Sequence, residues 1–178
     1  DFRVYAFVAT TQPFIAFFHP RFYMKCSPDE YSPLSTDKAG ALSNQQQMKK
    51  KKGVNQDDFI WDADQLQSYL TEHKLAPPTF VADKLRPMMK AKLSVLLRAA
   101  FETNKLKRKP GQFSVYGADM MLDEDLNLWL IEVNFSPGLY FTSKVRTTIT
   151  NKVVHEILDI EEEIMAAAET GQQIKSVA

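Results

Sequence analysis

Three oxygen-bearing side chains late in the chain, Asp119, Glu132 and Asn134, have residue types and spacing suited to a metal site. The two carboxylates lie in runs of strand-forming residues, which span Phe113–Leu122 and Leu128–Val133. Carboxylate and amide oxygens are ligands that Mg²⁺ prefers, usually together with substrate phosphates. The residues alone therefore predict a Mg²⁺ site, without specifying a reaction.

The two runs are expected to form a hairpin with a turn of four residues or so, Glu124–Asn127. That register places Asp119 opposite Glu132, on a face of the second strand that also carries Leu130 and Asn134. Two neighbouring carboxylates in apolar strands repel each other and are costly to bury, so a cation between them is favoured. In the alternative arrangement, one carboxylate faces solvent and the other pairs with a nearby lysine.

Composition places the chain among ordinary globular proteins. Its 178 residues are 44% hydrophobic and 25% charged, and the 22 basic residues equal the 22 acidic ones, which gives no indication of a nucleic-acid or acidic-membrane partner. No apolar run approaches the roughly 20 residues of a membrane helix. The single cysteine, Cys26, excludes an internal disulfide, and a reduced, cytosolic setting is expected. A strand pattern that begins at residue 1 without a signal sequence suggests a chain cut from a longer protein.

The elements needed to position these residues follow from local patterns. Strands are expected at Arg3–Thr10, Phe14–Phe18 and Phe22–Lys25, with His19-Pro20 as a breaker between the last two. Helices are expected from Asp62 or Asp64 to His73, from Leu85 to Asn104 and from Ser143 to Ile160. An exposed loop is expected at about 32–58 and a helical or disordered tail at 161–178, and both tryptophans, Trp61 and Trp129, are expected in the core. The pattern indicates an α+β fold with a mostly antiparallel sheet and flanking helices.

The stretch Phe113-Ser-Val-Tyr-Gly-Ala-Asp119, followed by Trp129-Leu-Ile-Glu-Val-Asn-Phe-Ser-Pro137, resembles the motif of the tubulin tyrosine ligase-like family of ATP-grasp enzymes. The opening Asp1-Phe-Arg-Val-Tyr5 resembles the family's Lys-Phe-Asp-x-Arg strand, and Leu42-Ser-Asn44 stands where the family has His-Leu-Thr-Asn. The segment Phe22–Tyr31 resembles the strand and turn that follow the opening hairpin. These blocks occur in the family's order and cover residues 1 to about 140.

The resemblance implies that residues 1–160 are the carboxyl-terminal part of an ATP-grasp fold in an ATP- and Mg²⁺-dependent carbon–nitrogen ligase. Such an enzyme joins a free amino acid to a carboxylate of tubulin or a similar acidic tail through an acyl phosphate. By resemblance, Asp119, Glu132 and Asn134 would hold Mg²⁺, while Asp1, Ser43 and Asn44 would contact ATP. Arg3 would lie beside the phosphates and Lys25 near the amino acid or acceptor. The implied location is cytoplasmic, on microtubules or in a cilium, with no nucleic acid or membrane as partner.

The chain also departs from the family pattern. Ala41 replaces the usual histidine, Gln45-Gln-Gln47 replaces residues that help to bind the amino acid, and Lys25 replaces an arginine. Glycine or glutamate addition is slightly favoured over tyrosine, and the isolated fragment is expected to be inactive. The alternatives are an inactive microtubule-binding member, or an ATP-grasp ligase acting on a small carboxylic acid. Arg3 has its own alternative, a solubilising charge on an edge strand.

Overall fold

A five-stranded antiparallel sheet lies at the centre of the computed structural model, which describes residues 1–27, 55–106, 111–171 and 174. The strands are β1 (Phe2–Thr11), β2 (Phe14–Lys25), β3 (Ile60–Trp61), β4 (Ser114–Leu122) and β5 (Leu128–Asn134). Their order across the sheet is β3-β2-β1-β4-β5, so that β1 is central. The predicted α+β class, with an antiparallel sheet and flanking helices, is confirmed, and it is consistent with part of an ATP-grasp-like domain.

Strand β2 continues through the proline that was expected to break it. Its register against β1 shifts between the pairs Val4↔Phe22 and Ala6↔Phe18, so Pro20 lies within an irregular stretch. The next strand outward, β3, pairs only with Met24 and Lys25. Pro20 therefore lies where no ladder hydrogen bond from its nitrogen is needed, which is where strands tolerate proline.

The helices begin close to where the sequence predicted, and the third continues ten residues beyond its predicted end at Ile160, so that the predicted tail is helical as far as Thr170. They are α1 (Ala63–Glu72), α2 (Arg86–Glu102) and α3 (Lys144–Thr170), with a 3₁₀ turn at Gln56–Phe59 and a π-helical turn at Val81–Leu85. Asp62 caps α1 by accepting hydrogen bonds from the backbone of Asp64 and Gln65, and Ser143 caps α3 by accepting from Arg146. Pro87 lies in the first turn of α2, which continues directly from the π-helical turn. Apart from residues 55–58, the loop predicted at 32–58 lies outside the described residues.

The sheet has an apolar cluster on each face. The larger one joins β1, β4 and β5 to α1 and α2, through residues such as Val4, Met89 and Met120, each 0% exposed. The smaller one joins the other face to α3, through Tyr5, Tyr23, Ile60, Ile149 and Val153. Within the described part of the chain, no helix is both long and apolar enough to cross a membrane.

Trp129 contradicts its predicted place in the core, since it is 59% exposed. It pairs with Met121 on the β4–β5 hairpin, and its indole Nε1 donates to Asp123 Oδ2 over 2.9 Å. The bond from Trp129, followed by those that the carboxylate accepts from Asn127 and from the backbone of Asp125, holds the pKa of Asp123 below its ordinary value. Trp129 therefore stabilises the turn rather than the core.

Candidate functional site

Asp119 lies directly opposite Glu132, as the sequence predicted, but the turn length and the strand register differ from the predicted ones. The pairs Leu122↔Leu128 and Met120↔Leu130 give the hairpin a five-residue turn. The register then shifts by one residue, with Ile131 as the extra residue, in the manner of a β-bulge.

The bulge reverses the face of the sheet to which each side chain in the second half of β5 points. Without it, Glu132 would share a face with Leu130 and point into the larger apolar cluster. With it, Leu130 and Val133 both pack against that cluster, and Glu132 shares the other face with Asp119. The expectation that Leu130 and Glu132 share a face was therefore wrong.

Arg3 is the closest partner of Asp119. The two residues are paired across β1 and β4, and Arg3 Nε and Nη2 donate to the two carboxylate oxygens over 2.6 and 2.9 Å. Both side chains are largely buried, at 13% and 11% exposure. Because β1 is the central strand, Arg3 cannot be the edge-strand charge of the alternative interpretation. Two-point pairing of this kind fixes both the position and the orientation of the carboxylate.

Lys25 and Asp1 complete a four-residue charged cluster. Lys25 Nζ lies 2.7 Å from Asp1 Oδ1 and 3.5 Å from Asp119 Oδ2. The backbone joins the same residues, since the N–H of Lys25 donates to the carbonyl oxygen of Asp1 over 2.7 Å. The last residue of β2 is thereby fixed beside the first residue of β1, with a primary amine at the edge of the cluster.

The cluster is charged although it is largely buried. Burial disfavours the ionised form of Asp119, but the hydrogen bonds from Arg3 and the charge of Lys25 outweigh this and lower its pKa. Burial also disfavours charged Arg3, yet Asp119 raises the pKa of the guanidinium. For Lys25 burial prevails, aided by the charge of Arg3, and its pKa is lowered despite Asp119. The amine of Lys25 thus gives up its proton more readily than that of an ordinary lysine.

Glu132 and Asn134 present the oxygens that face outward. Glu132 is exposed, and Asn134 Nδ2 lies 3.3 Å from its Oε1 and 3.5 Å from the carbonyl oxygen of Gly117. This matches the alternative arrangement, in which one carboxylate faces solvent and the other pairs with a lysine, and here an arginine pairs with it as well. The metal role of these residues stays a prediction. Among the described residues, no three His, Cys, Asp or Glu side chains are grouped as a metal site by themselves.

Close packing leaves no room for a side chain at position 117. A Cβ atom there would lie 2.7 Å from Pro137 Cβ and 3.1 Å from Arg3 Cδ. The glycine in Tyr-Gly-Ala-Asp therefore lets the chain after β5 fold back over Arg3.

The structure brings together six of the eight predicted site residues: Asp1, Arg3, Lys25, Asp119, Glu132 and Asn134. The other two, Ser43 and Asn44, lie outside the described residues, as do Ala41 and the glutamines at 45–47.

Sequence reasoning missed Arg146. This residue is 4% exposed in the first turn of α3, with its guanidinium carbon 4.8 Å from the centroid of the Tyr23 ring. Its Nη1 donates to Thr142 Oγ1 over 3.0 Å. A basic residue in the first turn of a helix, where a cation opposes the dipole, was the available signal.

The antiparallel sheet and its flanking helices form an α+β domain that is consistent with part of an ATP-grasp-like fold. The chain belongs to the Tubulin-tyrosine ligase family, whose profile matches residues 1–170.

Several curated proteins are similar to it. Protein polyglycylase TTLL10 from Macaca fascicularis is 29% identical, over 98% of this chain and 29% of the relative. Inactive polyglycylase TTLL10 from Homo sapiens is 27% identical over 98% of the chain and 26% of the relative. Tubulin glycylase 3A from Drosophila melanogaster is 26% identical over 90% and 16%. The chain thus spans less than a third of the length of these relatives.

Proposed function

We propose that the chain is the portion of an ATP- and Mg²⁺-dependent ligase that adds an amino acid, in the first place glycine, to a carboxylate of tubulin or a similarly acidic protein. The observation that carries the proposal is the opposition of Asp119 and Glu132 beside Arg3 and Lys25. Membership of the family supports the ligase class. Relatives named as glycylases support glycine over glutamate or tyrosine.

The donor set fits a magnesium ion shared with phosphates. Glu132 and Asn134 offer outward oxygens, and Asp119 keeps lone pairs beyond those that Arg3 and Lys25 engage. Mg²⁺ typically takes one or two protein carboxylates and completes its shell with phosphate and water oxygens. These residues would hold the metal, and a bound metal would supply neutralisation of charge on the phosphoryl oxygens.

The cations of the cluster suit both steps of acid–amine ligation. A phosphoryl group is first transferred to the acceptor carboxylate, and an amine then displaces phosphate to form the amide. Each step places negative charge on oxygen, so fixed cations that need not reorganise are an effective form of catalysis. Arg3, held by two hydrogen bonds to Asp119, is such a fixed cation. Lys25, with its lowered pKa, is suited to orient a carboxylate or to exchange a proton with the amine.

Substitution of Glu132 by glutamine tests the proposal in the full-length protein. The change keeps the shape of the side chain and removes one metal-binding charge, so ligation is expected to fall by about 100-fold or more. Stability should change little, because Glu132 is exposed. Glu124→Gln, an exposed carboxylate in the adjacent turn, is the matched control and should ligate normally. Undiminished ligation by Glu132→Gln would contradict the metal role.

The amino acid is tested by offering glycine, glutamate and tyrosine separately. The full-length protein is incubated with tubulin, ATP and one radiolabelled amino acid at a time, and incorporation is counted. We expect glycine to be incorporated most. Equal or greater incorporation of glutamate would overturn the glycine assignment while leaving the ligase class intact. The same reaction on assembled microtubules tests whether the polymer serves as the acceptor.

One observation favours a second candidate, a catalytically inactive microtubule-binding member. A relative named as a polyglycylase and one named as an inactive polyglycylase are almost equally similar to this chain, at 29% and 27% identity. The departures at Ala41 and Gln45–Gln47 lie outside the described residues. Pelleting with microtubules, together with undetectable incorporation of any amino acid, would establish this alternative.

A further inference from the structure

A basic groove lies beside β2, where this strand meets the beginnings of α1, α2 and α3, and its lining includes residues from both apolar clusters. It has a volume of about 390 Å³, and its cationic lining comes from three elements: Arg21 of β2, Arg86 of α2 and Lys144 of α3. Arg21 and Lys144 are exposed and Arg86 is half-buried. Among the ion pairs formed between described residues, none uses any of these three cations.

The groove also contains two carboxylates, which only partly offset these charges. Asp62 Oδ1 accepts from the backbone N–H groups of Asp64 and Gln65, so its charge is engaged at the beginning of α1. Asp64 is exposed in the first turn of the same helix. The N-termini of α1 and α3 each contribute roughly half a positive charge. The three basic side chains and the two helix N-termini outweigh the two carboxylates, so the groove has a net charge of about +2.

Lys144 lies at the end of α3 where a positive charge destabilises the helix. It is the first residue of α3, a helix of 27 residues, and a cation at that end is repelled by the helix dipole. A carboxylate at this position would stabilise the helix instead. The lysine and the helix dipole thus add their positive potentials in the same place, which favours a negatively charged partner.

One residue of the groove, Arg21, lies on the same strand as Lys25 of the charged cluster. Arg21, Tyr23 and Lys25 alternate along β2 and share one face of it. At about 3.3 Å per residue, Arg21 lies roughly 13 Å from Lys25, the length of about four residues of extended peptide. Buried Arg146 lies over Tyr23 between them.

We propose that this groove binds an acidic peptide segment of the acceptor protein, about four residues from the carboxylate that is modified. The acceptor identity rests on the proposed ligase function, whereas the binding of acidic peptide does not. The positive charge of the groove and its distance from Lys25 both favour an acidic peptide as the partner.

A binding measurement without ATP tests the groove separately from catalysis. The probe is a fluorescein-labelled oligoglutamate peptide, and its anisotropy is titrated with the full-length protein at low and moderate salt. Lys144→Glu and Arg21→Glu are each expected to weaken binding roughly fivefold or more, and to reduce its salt dependence. Lys144→Glu should fold normally, since it improves the charge at the start of α3.

The matched control is Lys152→Glu, a reversal at an exposed position of α3 outside the groove. Equal affinities of Lys144→Glu, Arg21→Glu and Lys152→Glu for the peptide would contradict the proposed binding in the groove, whatever the ligation assay shows. Glu132→Gln should bind the peptide like wild type, so a failure of the ligase proposal is recognised independently. If the protein ligates, Lys144→Glu should raise the KM for the acceptor and leave kcat unchanged, and an unchanged KM would count against the proposal.

Discussion

Asp119 is held by Arg3 through two hydrogen bonds, and this pairing governs how the residue responds to substitution. Asp119→Asn would remove the negative charge while leaving Arg3 and Lys25 largely buried. Removal of one partner from a buried ion pair costs on the order of 3 kcal/mol. We expect a loss of that size in the free energy of unfolding, measured with urea at pH 7. Asp125→Asn, an exposed carboxylate of the β4–β5 turn, is the control and should lose less than about 0.5 kcal/mol.

The same pairing predicts an acid-dependent stability. The pKa of Asp119 is lowered from its ordinary value of 3.8 in the folded state, so the folded protein retains the charge at a pH where the unfolded chain has lost it. Stability from this group is therefore fully present above about pH 3.8 and is lost as pH falls through the lower, folded pKa. The gap in unfolding free energy between wild type and Asp119→Asn should be constant from pH 7 to pH 5 and narrow at lower pH. A gap that widens with acid would contradict the assigned pairing.

At the scale of elements, the sequence allowed the opposition of Asp119 and Glu132 to be predicted because a hairpin is local and its side chains alternate. It did not reveal the extra residue at Ile131, since a bulge leaves no clear trace in an apolar run. The prediction was correct in its result because the longer turn and the bulge compensate each other.

Long-range pairing was the part that local patterns could not supply. Arg3 and Asp119 are 116 residues apart, and only the order of the strands brings β1 beside β4. Family resemblance placed Arg3 at the phosphates, but it did not indicate the bond to Asp119. The exposure of Trp129 was missed for a different reason: its partner, the carboxylate of Asp123, is close in sequence, but an apolar strand pattern does not show that the indole is bound to the turn.

The contact between β4 and the chain after β5 can be tested at Gly117. Gly117→Ala would place a methyl group 2.7 Å from Pro137 Cβ and 3.1 Å from Arg3 Cδ. We expect a loss of about 1–3 kcal/mol in unfolding free energy, as for other overpacked positions, together with reduced ligation as Arg3 shifts. Pro137→Gly removes the opposing Cβ, so the double variant should regain part of both losses. Additive losses in a double-mutant cycle would show that the two positions do not touch.

At the scale of the whole molecule, one face of the sheet contributes mainly to stability and the other carries the candidate site. The larger cluster, with α1 and α2, contains most of the buried apolar residues and so accounts for most of the stability. The smaller cluster, with α3, lies on the same face as Arg3, Lys25 and Asp119. Buried residues of α3 occur only between Arg146 and Val153, so its first turns fix the helix to the site face.

This division predicts different consequences for two similar cavities. Leu93→Ala and Ile149→Ala each truncate a buried side chain, at 1% and 5% exposure, and each should cost about 2–5 kcal/mol. Leu93 packs on the face away from the site, so its variant should retain the wild-type kcat per folded molecule at a temperature where both are folded. At the same temperature, Ile149→Ala should lower kcat or raise KM. The reason is that α3 would no longer hold Tyr23 and Arg146 in place beside the charged cluster. Leu158→Ala, at 57% exposure on α3, controls for a change in the helix alone. Equal kinetic effects of the Leu93 and Ile149 variants would show that the site depends on the whole core and not on the α3 face.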